Sequence, residues 1–196
     1  MPRPPEREAL MLPRMSEEET ALFLSFVRNS RDYVEFGTGG STVLASKYVK
    51  RSIRSVDSSQ EWLKRVGSAC AECQTQPELM LVDIGPTGDW GFPTDGATKS
   101  RWPDYHSAIW RYEQSADADL YLVDGRFRIA CFAQTVLHCK PTAIIGFHDF
   151  SSRRPYHCVR KIAQEIATAG DLSFFLPLPR RDAAEAILRS HYTEPS

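Results

Sequence analysis

Nothing in the 196-residue chain approaches the roughly 18–20 consecutive apolar residues of a membrane span. Its opening, MPRPPEREALMLPRM, puts prolines and charges where a secretory leader needs an apolar stretch. Neither sign of charge is in surplus. The 24 Lys and Arg stand against 25 Asp and Glu, a net charge of -1, whereas nucleic-acid binders usually carry a basic excess. Cysteine is scarce and odd in number, five, in a chain long enough to bury a core without disulfide staples. That usage suits a reducing compartment. There is no internal repeat and no low-complexity tract. These absences predict one cytoplasmic globular domain, with no membrane and no nucleic acid as partner.

What is present is an alternation. Residues 1–15, rich in Pro and Arg, read as a loose arm ahead of a single domain over 16–196. Ser16 followed by Glu17, Glu18 and Glu19 is a capping box, and it predicts a helix to about Asn29. Short apolar runs at 33–36, 52–56, 79–82, 120–123 and 143–147 predict strands, with helices expected over 41–49, 60–74, 105–114, 127–139 and 156–169. Two closing strands are expected at 173–176 and 186–189. The runs are continuous rather than alternating, the pattern of a parallel sheet covered on both faces. The predicted class is therefore α/β: a doubly wound, mostly parallel sheet with helices on both faces. Right-handed crossovers then gather Glu35, Asp57, Asp83, Asp124 and Asp149 on one rim, where ligands of such sheets bind.

The most informative stretch is Glu35-Phe36-Gly37-Thr38-Gly39-Gly40-Ser41-Thr42. Its glycines allow a sharp turn and let a ligand lie against bare backbone. The helix that follows offers unpaired N–H groups. The dinucleotide pattern would need a third glycine where Thr42 stands, and the Gly-Lys-Ser/Thr of a phosphate loop is absent. A plain strand-to-helix turn is the competing reading. Asp57, with Ser58 beside it, ends the second strand about 20 residues further on, the spacing at which an acid meets ribose hydroxyls. The alternative for Asp57 is a helix cap. Turn and acid together point to an adenosine-containing ligand.

In these residues the chain resembles the class I S-adenosylmethionine-dependent methyltransferases, over about residues 30–190. VEFGTGGST resembles their first motif and SVDSS their second-strand acid. DLYLVDGRF, IIGFHDF and CVRKI resemble the macrocin and catechol O-methyltransferase branch. The resemblance implies a Rossmann-like fold with its last strand antiparallel. It implies S-adenosylmethionine as cofactor, with Glu35, Gly37, Thr38, Gly39, Gly40 and Ser41 at the amino-acid part, Asp57 and Ser58 at the ribose, and Asp83 and Ile84 at the adenine. In that branch metal-binding acids end the fourth and fifth strands, and Asp124 and Asp149 match them. His148 stands where macrocin-type enzymes have an acid, and Phe150 where catechol enzymes have Asn. The implied metal site, for Mg or Mn, is Asp124, His148 and Asp149. The competing reading makes Asp124 and His148 catalytic without metal, with His148 as general base. Adjacent residues of an extended chain point to opposite faces, so His148 and Asp149 can both ligate only if the strand has already turned.

Residues 83–104 form a connection out of proportion to the fold, with Trp90, Phe92 and Trp102 along it. It reads either as a lid or as a loop packed on the domain. His106 is a candidate base or a capping residue. Arg126, Arg128, Arg153 and Arg154 follow two rim acids and either hold an anionic substrate or neutralise those acids. Cys70 and Cys73 lack the second pair that zinc requires. The expected activity is methyl transfer to a small-molecule oxygen acceptor, with a homodimer left open. One rival is an S-adenosylmethionine-binding protein without methyl transfer, in a regulatory or partner-binding role. The other is an NAD oxidoreductase, against which the missing third glycine stands.

Overall fold

Seven strands make one sheet in the order β3-β2-β1-β4-β5-β7-β6 in the computed structural model, which describes residues 11–196. The strands are β1 (Asp32–Phe36), β2 (Ser52–Asp57), β3 (Glu78–Leu81), β4 (Leu120–Val123), β5 (Ile144–Phe147), β6 (Ala163–Ala169) and β7 (Leu172–Pro177). β1 to β5 pair in parallel, while β7 runs antiparallel between β5 and β6. The order reverses between β1 and β4, so the switch point of the sheet lies there.

Side chains of the central strands alternate between two cores. Tyr33, Ile53, Leu120 and Leu122 join Phe23 and Val27 of α1 (Glu17–Val27) on one face. Val34, Phe36, Tyr121 and Val123 join Ile129 and Phe132 of α5 (Arg128–His138) on the other. Burial on both faces explains why β1 and β4 are apolar throughout apart from Asp32 and Glu35. The capping box predicted for α1 is present, with Ser16 and Glu19 bonded reciprocally. α2 (Gly40–Ser46) and α3 (Gln60–Ala69) follow β1 and β2, each shorter than expected. The helix expected at 105–114 is a single turn, α4 (Asp104–Ser107), continued by 3-10 turns at Ala108–Arg111 and Glu113–Ser115.

The C-terminal quarter departs from expectation. Residues 156–169 were expected to be helical, but a 3-10 turn over Arg154–Lys161 leads into β6. β6 is an edge strand whose exposure alternates residue by residue, a period of two hidden among helix-tolerant Ala, Gln and Glu. A two-residue turn at Gly170, which has φ +53, returns the chain into β7. The strand expected at 186–189 is instead part of α6 (Arg181–His191). Its Ala-rich composition and the Arg181–Glu185–Arg189 ladder at i,i+4 spacing favour helix. Ala184, Ile187 and Leu188 pack into the core that α5 shares. Of the expected N-terminal arm, residues 1–10 lie outside the described residues.

Candidate functional site

The glycine turn is built by what surrounds it. Gly37 adopts φ +98, and a Cβ there would come within 2.5 Å of the Gly125 backbone, so the turns after β1 and β4 lie back to back. Its N–H donates to Val56 O at 2.9 Å. The Thr38 N–H donates to Asp57 Oδ2 at 3.1 Å, and the Thr38 hydroxyl pairs with Ser55 Oγ at 2.7 Å. From α3, Trp62 Nε1–H donates to the Thr38 carbonyl at 2.5 Å. Gly39 differs. Its backbone is extended, φ -176, and a Cβ added there would meet nothing within 4 Å. The space above Gly39 is open, as a ligand lying on bare backbone requires. Gly40, by contrast, is crossed by the backbone of Leu12 and Pro13.

Glu35 is fully buried, and the hydroxyls of Ser41 and Thr42 donate to its two oxygens. Burial pushes its carboxyl up to about 8 despite those bonds. Both oxygens are therefore engaged in fixing the first turn of α2.

Asp57 Oδ1 accepts the Ser59 N–H at 3.0 Å, while Oδ2 holds Thr38. Burial raises its carboxyl, and the backbone bonds from Ser59, Ser58 and Thr38 work the other way. A carboxylate has about four acceptor positions, so capacity remains for hydroxyl donors. Ser58 Oγ lies 3.4 Å from where a Cβ on Gly91 would stand, so the long loop returns to this point. Asp83 is exposed, accepts the Gly85 N–H at 2.9 Å and pairs with Arg101. Ile84 is fully buried, and its carbonyl accepts the Thr98 hydroxyl from later in the same loop at 2.8 Å. The loop's aromatics divide: Trp102 packs into the core, whereas Trp90 and Phe92 are 68% and 45% exposed. The Arg14 guanidinium stacks 4.2 Å from the Trp90 ring centre. Loop and N-terminal segment thus meet above the rim.

On the β4–β5 side, His148 Nδ1 lies 3.1 Å from Asp124 Oδ1 and 3.5 Å from Asp149 Oδ1. Asp149, with φ +59, has left the extended backbone, and that turn brings both residues to one side. Burial lowers the His148 pKa, but the bond to Asp124 and the charges of Asp124 and Asp149 outweigh it and leave it above the ordinary value. Burial likewise pushes Asp124 up, and His148 with Arg128 more than reverses it. His148 Nε2 is buried without a hydrogen-bond partner, 3.8 Å from Glu19 Oε2 of α1.

The expected metal site at Asp124, His148 and Asp149 does not fit a metal. The buried Arg128 guanidinium bridges the two carboxylates, at 3.2 Å from Asp124 and 2.9 Å from Asp149. It also donates to the Gly125, His148 and Asp124 carbonyls. A fixed cation already balances both acids where a metal would have to stand. Among the described residues no group of three or more His, Cys, Asp or Glu is arranged to hold a metal ion.

His106 is no rim base. It is fully buried, with Nε2 3.0 Å from Tyr192 O and Nδ1 3.3 Å from Gln134 Nε2. Burial lowers its pKa to about 4, so it is neutral and structural. Cys70 lies buried at the end of α3, and all five cysteines are free. Trp62 and Tyr105 contribute to the rim without having been singled out from sequence, and Glu19, read there only as a capping residue, reaches it as well. Tyr105 sits against Gly125, and its oxygen accepts the Arg126 N–H at 3.4 Å. Their places at the rim come from tertiary packing, which no local pattern announces.

Neither a protein-family model nor a curated protein sequence matches the chain. Solved structures do. A methyltransferase-like protein from Silicibacter pomeroyi is 31% identical, with 94% of this chain and 98% of that one covered and a TM-score of 0.85. The N-methyltransferase NodS from Bradyrhizobium japonicum shares the fold at 12% identity, covering 82% and 94% of the two chains, with a TM-score of 0.52. MycE, a methyltransferase of mycinamycin biosynthesis solved with Mg and S-adenosylhomocysteine, shares it at 13% identity, TM-score 0.50, over 81% of this chain and 45% of that one.

Proposed function

The chain belongs to the family of that methyltransferase-like protein, and from that premise we propose that it is a class I S-adenosylmethionine-dependent methyltransferase that methylates an oxygen of a small-molecule acceptor. The observation that carries this is the meeting at the β1–β4 switch point of open backbone at Gly39, an acid at Asp57 and the Asp124–His148 pair. The acceptor's atom and class are our own reading, since fold neighbours at 12–13% identity share architecture and no more.

S-adenosylmethionine, when bound, supplies a methyl group on a sulfonium whose positive charge disperses as the methyl moves. The chain's residues supply alignment and proton removal. Gly37 to Ser41 shape the turn, and Gly39 presents the surface for the amino-acid part. Asp57 and Ser58 hold the ribose hydroxyls. Asp83 and Ile84, at the start of the 83–104 connection, serve the adenine once its later part, which holds Ile84 through Thr98, lifts. Asp124 fixes Nδ1 of His148, which leaves Nε2 to take the acceptor's proton. No step runs through a metal. Five free cysteines favour the cytoplasm as its place.

One observation favours a second reading, cofactor binding without transfer: Nε2 is buried and faces Glu19, so an acceptor reaches it only if the first turn of α1 shifts. Incubation with methyl-labelled S-adenosylmethionine and a panel of phenols, sugars and hydroxy acids separates the two. Label transferred to an acceptor, and reduced about 10²- to 10⁴-fold in His148→Gln, supports the enzyme with this base. Tight S-adenosylhomocysteine binding with no transfer to any acceptor supports the second reading.

A further inference from the structure

We propose that Arg126, covered by Phe92 of the 83–104 loop, is the specificity-determining residue that reads a carboxylate on the acceptor. This rests on the methyltransferase reading and adds a substrate class to it.

Three of the four rim arginines are accounted for. Arg128 is buried between Asp124 and Asp149. Arg153 pairs with Asp149 at 2.7 Å and donates to the Tyr156 hydroxyl at 3.1 Å. Arg154 is exposed at the start of the 3-10 turn after β5. Arg126 alone among these four combines partial burial with no carboxylate at ion-pair distance among the described residues. Its Nε is buried and has no hydrogen-bond partner. A buried donor left unpaired is unfavourable, more so on a charged group, so a ligand that supplies the acceptor gains what the free protein lacks.

The surroundings narrow the ligand. The Phe92 ring centre lies 5.3 Å from the Arg126 guanidinium carbon, and a Cβ on Gly91 would come within 3.9 Å of its Cγ. Burial depresses the Arg126 pKa, the like charges of Arg128 and Arg153 add to this and the Tyr105 and Tyr156 hydroxyls work the other way, so an anion that pairs with the guanidinium offsets the cost of its burial. A guanidinium presents two parallel N–H groups that match the two oxygens of a carboxylate. The half-exposed Phe92 ring beside it offers a flat apolar surface, which fits an aromatic or otherwise planar acid. Position matters as well. Arg126 follows Gly125, whose backbone backs onto Gly37, and lies two residues from Asp124. An acid held there brings the rest of the acceptor to the switch point, where the turns after β1 and β4 lie back to back.

The test follows the arginine Nε–Hε resonances of ¹⁵N-labelled full-length protein, with and without saturating S-adenosylhomocysteine. Benzoate, benzyl alcohol and inorganic phosphate are the probes, and S-adenosylhomocysteine affinity is measured separately by calorimetry. We expect benzoate to shift the Arg126 signal saturably, benzyl alcohol to leave it in place, and Arg126→Gln to bind benzoate at least about tenfold more weakly. Arg126→Lys should recover only part of the affinity, because it keeps the charge and loses the fork. No saturable benzoate shift, equal benzoate affinity in Arg126→Gln, or saturation by phosphate but not benzoate overturns the proposal. Absence of S-adenosylhomocysteine binding instead strikes the methyltransferase reading, and the benzoate titration without it still reports on Arg126.

Discussion

Gly37 and Gly125 are locked against one another: a Cβ on Gly37 would enter the Gly125 backbone, and one on Gly125 would meet both Gly37 and the Tyr105 hydroxyl. This contact joins the turns of β1 and β4 into one platform. Gly37 also needs its left-handed backbone, φ +98, whereas Gly39, extended and facing open space, needs neither. The two glycines should therefore fail in different ways. Gly37→Ala should destabilise the fold by at least about 1–2 kcal/mol from backbone strain alone. Gly39→Val should melt like the wild type and lose cofactor binding. Thermal unfolding and calorimetry of each variant check this, and a Gly39→Val protein that still binds reduces the turn to a structural device.

Arg128 in place of a metal has a direct consequence. Methyl transfer should proceed at an unchanged rate in excess EDTA, and added Mg²⁺ or Mn²⁺ should not raise it. Arg128→Met should cost about 1–3 kcal/mol, since it strands the three carbonyls Arg128 serves and leaves Asp124 with His148 and Asp149 with Arg153 as their remaining partners. Rate assays in chelator and denaturant titration of the variant decide the point. Activity that vanishes with EDTA and returns with Mg²⁺ would reinstate the metal.

Glu35 sets a pH dependence whose sign runs opposite to that of most acids. Its folded value of about 8 lies above the ordinary 4.5, so between those limits the native state keeps a proton that the unfolded chain has released. Stability should therefore fall as pH rises through this window, with a slope approaching about 1.4 kcal/mol per pH unit. Glu35→Gln, which holds one proton state, should flatten the slope and be relatively more stable at pH 8 than at pH 5. Urea midpoints at both values measure this. An unchanged slope in the variant places the titrating group elsewhere.

The parts of the fold that could be read from the chain are those where local signals and burial agree. The Ser16–Glu19 box, the apolar runs of β1, β2, β4 and β5, and the glycine turn each carry their own pattern. β6 and α6 did not. Edge exposure leaves Ala163–Ala169 without an apolar run, and Ala186–Arg189 looks like a strand only when cut from the longer Arg181–His191 ladder. The site divides in the same way. Glu35, Gly37 and Asp57 sit where strand ends put them, whereas the Arg128 bridge depends on Asp149 turning to φ +59 and on α5 starting at Arg128 behind the left-handed Phe127. Spacing along the chain does not encode that convergence. The loop was legible as an anomaly, but which aromatics it buries, Trp102 rather than Trp90 or Phe92, was decided by tertiary packing.

The central claim is that the rim formed by Gly39 and Asp57 holds S-adenosylmethionine. Titration calorimetry with S-adenosylhomocysteine on the full chain and on Asp57→Ala tests it most directly. The account predicts one-to-one binding that weakens about 10- to 150-fold in Asp57→Ala, the loss of hydrogen bonds to a charged group worth roughly 1.5–3 kcal/mol. No heat of binding with the wild type, or equal affinity in a folded Asp57→Ala protein, would contradict it.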